Sequence, residues 1–254
     1  MTASARRLTL VALFALAGGC GPRLDVGSDV LWTGLFEGNN FDEWMGDSAG
    51  AALAFPAPPN LIEVSNERVR HGGYAARLTI DAPPGGSRGS AVLARSGDLP
   101  AQGYYSAWYY IPRSIITVGN YWVIFKFRHQ DQSTMDELYD LDLINLDSGE
   151  MSLQLYDHRR PGTVPLDVTN PIVPVGQWFQ IEAFYRNAAD ATGRLTFWLD
   201  GRQIVDIADP TSTPLIEWNA CSIGENLMPS TAVLYVDDCA VSRSRVGPTG
   251  IIAD

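Results

Sequence analysis

Tyr121-Trp122-Val123-Ile124-Phe125-Lys126-Phe127-Arg128-His129-Gln130 is the stretch that decides the fold. Read at a period of two, one set is Tyr121, Val123, Phe125, Phe127 and His129, and the other is Trp122, Ile124, Lys126, Arg128 and Gln130. That period belongs to a strand whose side chains alternate between a core and an outer face. The first set is greasier and is expected inward. The second puts Trp122, two cations and an amide on the outer face.

The following runs continue the pattern. In Tyr139–Leu146, Tyr139, Leu141 and Leu143 read inward, with Asp140 and Asp142 outward. In Glu150–His158, Met151, Leu153 and Leu155 read inward, with Ser152, Gln154, Tyr156 and His158 outward. Three successive strands therefore present one polar, aromatic-bearing face, a composition suited to a concave binding surface. Similar runs, bounded by Gly, Pro, Asn and Asp, extend from Tyr74 to Ser242, and helical periodicity is nearly absent. Asp200-Gly201 between two runs signals a tight hairpin. The reading is one all-β domain over residues 31–246, an antiparallel β-sandwich of jelly-roll type, with a C-terminal tail over 247–254.

Composition narrows the function classes. The chain has 254 residues, 46% hydrophobic and 19% charged, and a net charge of -11. Its 18 basic residues include a single lysine, Lys126. An acidic balance without a basic run argues against nucleic acid as a partner. No apolar stretch beyond the first twenty residues approaches the ~18 needed to span a bilayer.

The N-terminus reads as an address. Arg6 and Arg7 precede an apolar run from Leu8 to Leu16, which ends in Ala17-Gly18-Gly19-Cys20. This resembles a bacterial lipobox, with Ala17 where the usual box has Leu. The resemblance implies a signal peptide over 1–19, lipidation of Cys20 and a tether over 20–30. Membrane contact would be through that anchor alone, on an exported protein at the cell envelope, and at the outer membrane if the source is Gram-negative. Processing removes Arg6 and Arg7 and moves the net charge to -13. Cys221 and Cys239 are the other cysteines. In an oxidising compartment they read as a disulfide across a hairpin centred near 228–230, worth roughly 3 kcal/mol, or as two buried thiols.

Several stretches, in order, resemble the concanavalin A-like lectin/glucanase superfamily, in particular its polysaccharide lyase (heparin lyase-like) branch. They are Leu35-Phe36-Glu37-Gly38 with Phe41 and Trp44, and Arg70-His71-Gly72-Gly73-Tyr74. Trp108-Tyr109-Tyr110-Ile111-Pro112, Gly193 to Gly201 and Tyr235-Val236-Asp237-Asp238 follow. The resemblance implies a polysaccharide partner and a first-strand Glu and closing-strand Asp that help hold structural Ca²⁺, here Glu37 and Asp237 with Asn39 nearby. Many relatives carry Gln-x-His on the strand matching 121–130. Here the same-face positions are Lys126 and Arg128, and His129 has the opposite parity unless a bulge re-aims it.

β-Elimination on a uronate needs a carboxylate neutraliser, a base and an acid. Arg128 or Lys126 can neutralise, His158 or Tyr156 can move protons, and Gln154 can orient. Arg159, Gln130 and the rings of Trp122, Trp108 and Trp198 are expected to line the sugar path, sugar faces stacking on flat aromatics. Two other readings stand beside this one. Lys126 and Arg128 pair across the sheet with Asp140 and Asp142 in a structural or adhesion protein, or the face binds carbohydrate without cleaving it. The Asp140/Asp142 pair also admits a glycosidase reading, without the usual glucanase signature.

Overall fold

The computed structural model describes residues 29–45, 51–54, 60–81, 91–97, 99–115, 121–131, 134–160, 162–209, 213–223 and 231–249. The signal segment, Cys20 and most of the tether lie outside them, as do the side chains of Gln130 and Cys221.

In chain order the elements are β1 (Val30–Gly34), α1 (Asp42–Met45), β2 (Ala51–Ala54), β3 (Leu61–Ser65), β4 (Ala75–Asp81), β5 (Ala91–Ser96), β6 (Gln102–Tyr110) and β7 (Trp122–Asp131). They continue with β8 (Thr134–Asn145), β9 (Met151–Asp157), β10 (Thr163–Val164), β11 (Trp178–Arg186), β12 (Arg194–Leu199), β13 (Arg202–Ala208), β14 (Leu215–Ile223) and β15 (Thr231–Ser242). They form two antiparallel sheets. One runs β13-β12-β11-β6-β15-β4-β3 with β1 also on β15; the other runs β10-β9-β8-β7-β14-β5-β2. The inner faces meet in one core, where Phe125 packs edge-on to Phe197 at 5.4 Å and Tyr105 edge-on to Phe127 at 5.0 Å. The all-β sandwich read from the alternation is the fold.

The turn at Asp200-Gly201 forms as expected. Both residues have positive φ (48° and 76°), the backbone a two-residue hairpin needs to match strand twist. Two other local readings change. The opening strand is Val30–Gly34 rather than the segment around Leu35, because Phe36 turns left-handed (φ 62°) and drops its ring between Phe41 and Trp44. The expected hairpin between the cysteine-bearing runs does not form, since β14 and β15 belong to different sheets. Cys239 is buried in the core between the sheets.

The decisive departure is inside β7. Val123 pairs with Asp142 and Phe125 with Leu141, so Ile124 is an extra residue in that strand. A bulge of one residue flips the parity of everything before it. Trp122, expected outward, is in the core with Ile124. Tyr121, expected inward, is carried to the polar side. From Phe125 onward the parity is as read: Phe125 and Phe127 are in the core, Lys126 and Arg128 opposite them.

Candidate active site

The outer face of the β9-β8-β7-β14 layer is a lattice of polar rows set by strand register. The middle row is Asn219–Lys126–Asp140–Tyr156. On one side of it Glu217, Arg128 and Glu137 are in register. On the other side lie Val123, Asp142 and Gln154. His158 follows the end of β9, held by its backbone N–H donating to the Leu138 carbonyl at 3.2 Å.

Charge is dense in this floor. Lys126 is 0% exposed, and its Nζ reaches Glu137 Oε1 at 2.5 Å and Asp140 Oδ2 at 3.6 Å. His158 Nε2 lies 3.0 Å from Asp140 Oδ2 and 3.4 Å from Glu137 Oε2. The imidazole stays a quarter exposed and meets the Tyr156 ring edge-on at 4.8 Å. Arg128 reaches Glu217 Oε1 at 3.2 Å, and Glu217 is also held by Asn219 at 2.7 Å and Ser96 at 2.8 Å.

Proton affinities follow from burial and neighbours. Burial and then the charge of Asp140 push the Asp142 carboxyl up to about 8. Asp140 is also raised, mainly by burial, although His158 and Lys126 oppose that shift. Burial disfavours charged His158, but the Asp140 hydrogen bond and the charges of Asp140 and Glu137 outweigh it and raise its pKa above 6.5. Tyr121 is raised by burial and by Asp142, Asp140 and Glu137. Ligand atoms of Glu137, Asp140 and His158 lie within 4.8 Å of one another, the spacing of a metal cage. The Lys126 ammonium supplies the cation for two of those three groups.

The polysaccharide lyase family profile matches residues 34–223, three quarters of the sequence and all three polar rows. The chain belongs to the polysaccharide lyase family. Among solved structures, an endo-β-1,4-glucuronan lyase from Trichoderma reesei aligns with TM-score 0.62 at 11% identity, covering 85% of this chain and 97% of its own. A lysine-and-tyrosine double mutant of the alginate lyase Aly36B, in complex with an alginate tetrasaccharide, aligns at 0.54 and 12%, covering 87% and 97%. The marine PL-14 alginate lyase from Aplysia kurodai aligns at 0.52 and 10%, covering 84% and 99%. At these identities the likeness is one of fold. No curated protein matches.

In this lyase-family chain the structure brings Lys126, Arg128, Gln154, Tyr156 and His158 onto one face, as the alternation implied. It removes others. Trp122 is a core residue because of the bulge. Trp108 and Trp198 lie on the other sheet, in β6 and β12. Their rings are capped by guanidinium groups, Arg70 over Trp108 at 3.5 Å and Arg245 over Trp198 at 4.3 Å. Arg159 turns back into the fold, bonding Asp157, Tyr139 and Asp209, whose carboxylate is 0% exposed. Lys126 sits beneath the surface rather than on it. The expected pairing of both cations with Asp140 and Asp142 is half right: Lys126 reaches Asp140, while Arg128 turns the other way, to Glu217.

Tyr121, Glu137, Glu217 and Asn219 were missed as members of the face. For Glu217 and Asn219 the signal was present, since they flank the core residue Trp218 at a period of two.

Glu37 and Asp237 converge on one segment from opposite ends of the chain. Glu37 accepts the Gly73 and Tyr74 backbone N–H groups (2.9 and 3.3 Å), and Asp237 Oδ2 accepts that of Arg70 (2.9 Å). Asn39 lies in the turn that carries Glu37, with φ 54°. Asp237 and Asp238 are neighbouring buried carboxylates. Asp238 takes the Arg70 guanidinium, whereas Asp237 meets N–H donors and no cation among the described residues. A divalent ion there would neutralise the buried Asp237 carboxylate, with Glu37 and Asn39 offering exposed oxygen ligands from the turn after β1.

Proposed function

We propose that the protein cleaves a uronate polysaccharide by β-elimination on the outer face of β7, β8 and β9. The observation that carries this reading is the partly exposed His158–Tyr156 pair, ring to ring at 4.8 Å, standing over the buried Lys126–Glu137–Asp140 layer. His158 is the base. Its Nε2 is held by Asp140, as an imidazole is oriented by a carboxylate in hydrolase triads, and this leaves Nδ1 to take the proton α to the uronate carboxylate. Tyr156 is the acid that protonates the leaving oxygen. Arg128, 28% exposed and steadied by Glu217, meets a substrate carboxylate. Lys126 is a positioning residue that fixes Glu137 and Asp140.

Incubating residues 20–254 with glucuronan, alginate and heparin-like polymers tests this directly. Absorbance from the unsaturated product is expected with at least one polymer. The burial of Lys126 in ion pairs favours a second reading, a face that binds glycan without cleaving it. Binding with no unsaturated product from any polymer would establish that reading.

Two further assignments complete the proposal. The protein is exported and held at the cell envelope through lipidated Cys20, on the strength of its first twenty residues. Glu37, Asn39 and Asp237 would hold Ca²⁺, which supplies charge neutralisation there and no catalytic chemistry. Chelation is expected to lower the melting temperature and added Ca²⁺ to restore it. A melting temperature indifferent to both would overturn the assignment.

A further inference from the structure

Asp142 is the one acidic group of the floor that the roles above leave unused. It is 1% exposed, and its Oδ1 has no hydrogen-bond partner among the described residues. Lys126 gives its short contacts to Glu137 and Asp140, and His158 gives its own to the same two residues. In register, Asp142 stands between apolar Val123 and half-buried Gln154. A bare carboxylate there would be buried beside Asp140 with no cation of its own, at a cost of several kcal/mol. A carboxylic acid there is neutral and has an O–H to donate.

We propose that the Asp142–Gln154 row is a carboxylate-recognition subsite, in which Asp142 acts as a carboxylic acid donating a hydrogen bond to a uronate carboxylate. The side-chain amide of Gln154 supplies the adjacent N–H. The row lies two rows from that of Arg128, about 14 Å by strand rise, while the His158 imidazole leans back over the intervening row to Asp140. It therefore serves a different sugar from the one Arg128 meets, and a polyuronate offers a carboxylate on each ring. The subsite rests on the uronate reading above and names a second point of recognition within it. The upward displacement of the Asp142 carboxyl to about 8 agrees with the geometry. Apolar sites elsewhere keep a carboxyl neutral for the same purpose.

The test is binding of a saturated oligouronate by titration calorimetry, in a Tyr156→Phe background that slows cleavage. The acid form of Asp142 falls to roughly a tenth between pH 7 and pH 9, so wild-type affinity should fall with it. Asp140, Glu137, Lys126, Tyr121 and His158 also face this space. They are common to both proteins, so the wild-type to Asp142→Asn affinity ratio isolates Asp142. That ratio should drop about tenfold from pH 7 to pH 9. Asp142→Asn keeps an N–H donor and should bind about threefold more weakly at pH 7, with Asp142→Ala weaker again by about tenfold. In wild-type-minus-Asp142→Asn infrared difference spectra at pH 7, the carbonyl band of one protonated carboxyl should be present. A constant ratio across the pH range, or Asp142→Asn as weak as Asp142→Ala, would overturn the subsite. If the alanine variant does not fold, the asparagine ratio alone decides. Oligouronate binding without cleavage by the wild type would overturn the lyase reading while leaving the subsite standing. No oligouronate binding by the wild type would overturn both.

Discussion

His158→Ala should lower kcat on the responsive uronate polymer by about a thousandfold, with a melting temperature within a few degrees of wild type. The magnitude is that of losing a positioned general base, typically 10²–10⁴. The small thermal effect follows because the imidazole is a quarter exposed and leaves a surface gap rather than a core cavity. The pH dependence has a definite sign. A base must be neutral, and the raised pKa of His158 means it sheds its proton above 6.5. Wild-type kcat/KM should therefore climb with pH through that raised value, and the residual rate of the variant should lack the climb. Asp140→Asn supplies the control. It removes the charge that raises the His158 pKa, so the climb should move to lower pH while part of the rate survives. Turnover in His158→Ala within threefold of wild type would remove the residue from the reaction.

The half of the face that was legible in the sequence lies downstream of the bulge. Lys126 and Arg128 read correctly because nothing interrupts the alternation from Phe125 onward, and Asp140, Asp142, Gln154 and Tyr156 lie on the evenly paired stretch of β8 and β9, with His158 one residue past its end. Upstream of it, Trp122 and Tyr121 exchanged places. The inserted residue is an isoleucine, a good strand former with no glycine or proline to mark the break, so periodicity alone could not reveal it. Trp108 and Trp198 failed for a different reason. Parity says that a side chain points away from the core, but not from which of two sheets, and these two leave the sandwich on the far side. The same limit misplaced the cysteine hairpin, because neighbouring runs at β14 and β15 cross between sheets. Arg159 lies beyond the end of a strand, where alternation makes no statement. Its partner Asp209 is 50 residues away in sequence.

Lys126→Met should be the most damaging single change to the floor, costing about 3–5 kcal/mol, the usual consequence of stripping one partner from a buried ion pair. For a domain of this size that is about 10 °C in melting temperature. Methionine nearly matches the stem of lysine, so the loss reports charge rather than volume. What remains is Asp140 and Asp142 at 1% exposure and Glu137 alongside, facing one another with His158 as the nearest cation. The sign of the pH effect follows. The orphaned carboxylates can recover by taking up protons, so the destabilisation should be greatest at pH 8 and shrink as pH falls toward 5. Unfolding the wild type and the variant by denaturant at both pH values measures this. Adding Asp140→Asn should restore part of the loss, since the lysine and the aspartate act on the same term and their effects will not add. A penalty under 1 kcal/mol at pH 8, or one that grows on acidification, would show that Lys126 does not neutralise the floor. On the proposed lyase reading, the same pairing lets an acidic protein present this face to an anionic polymer. The floor carboxylates are held by the single lysine, by His158 and by a proton on Asp142, leaving Arg128 turned partly outward toward incoming negative charge.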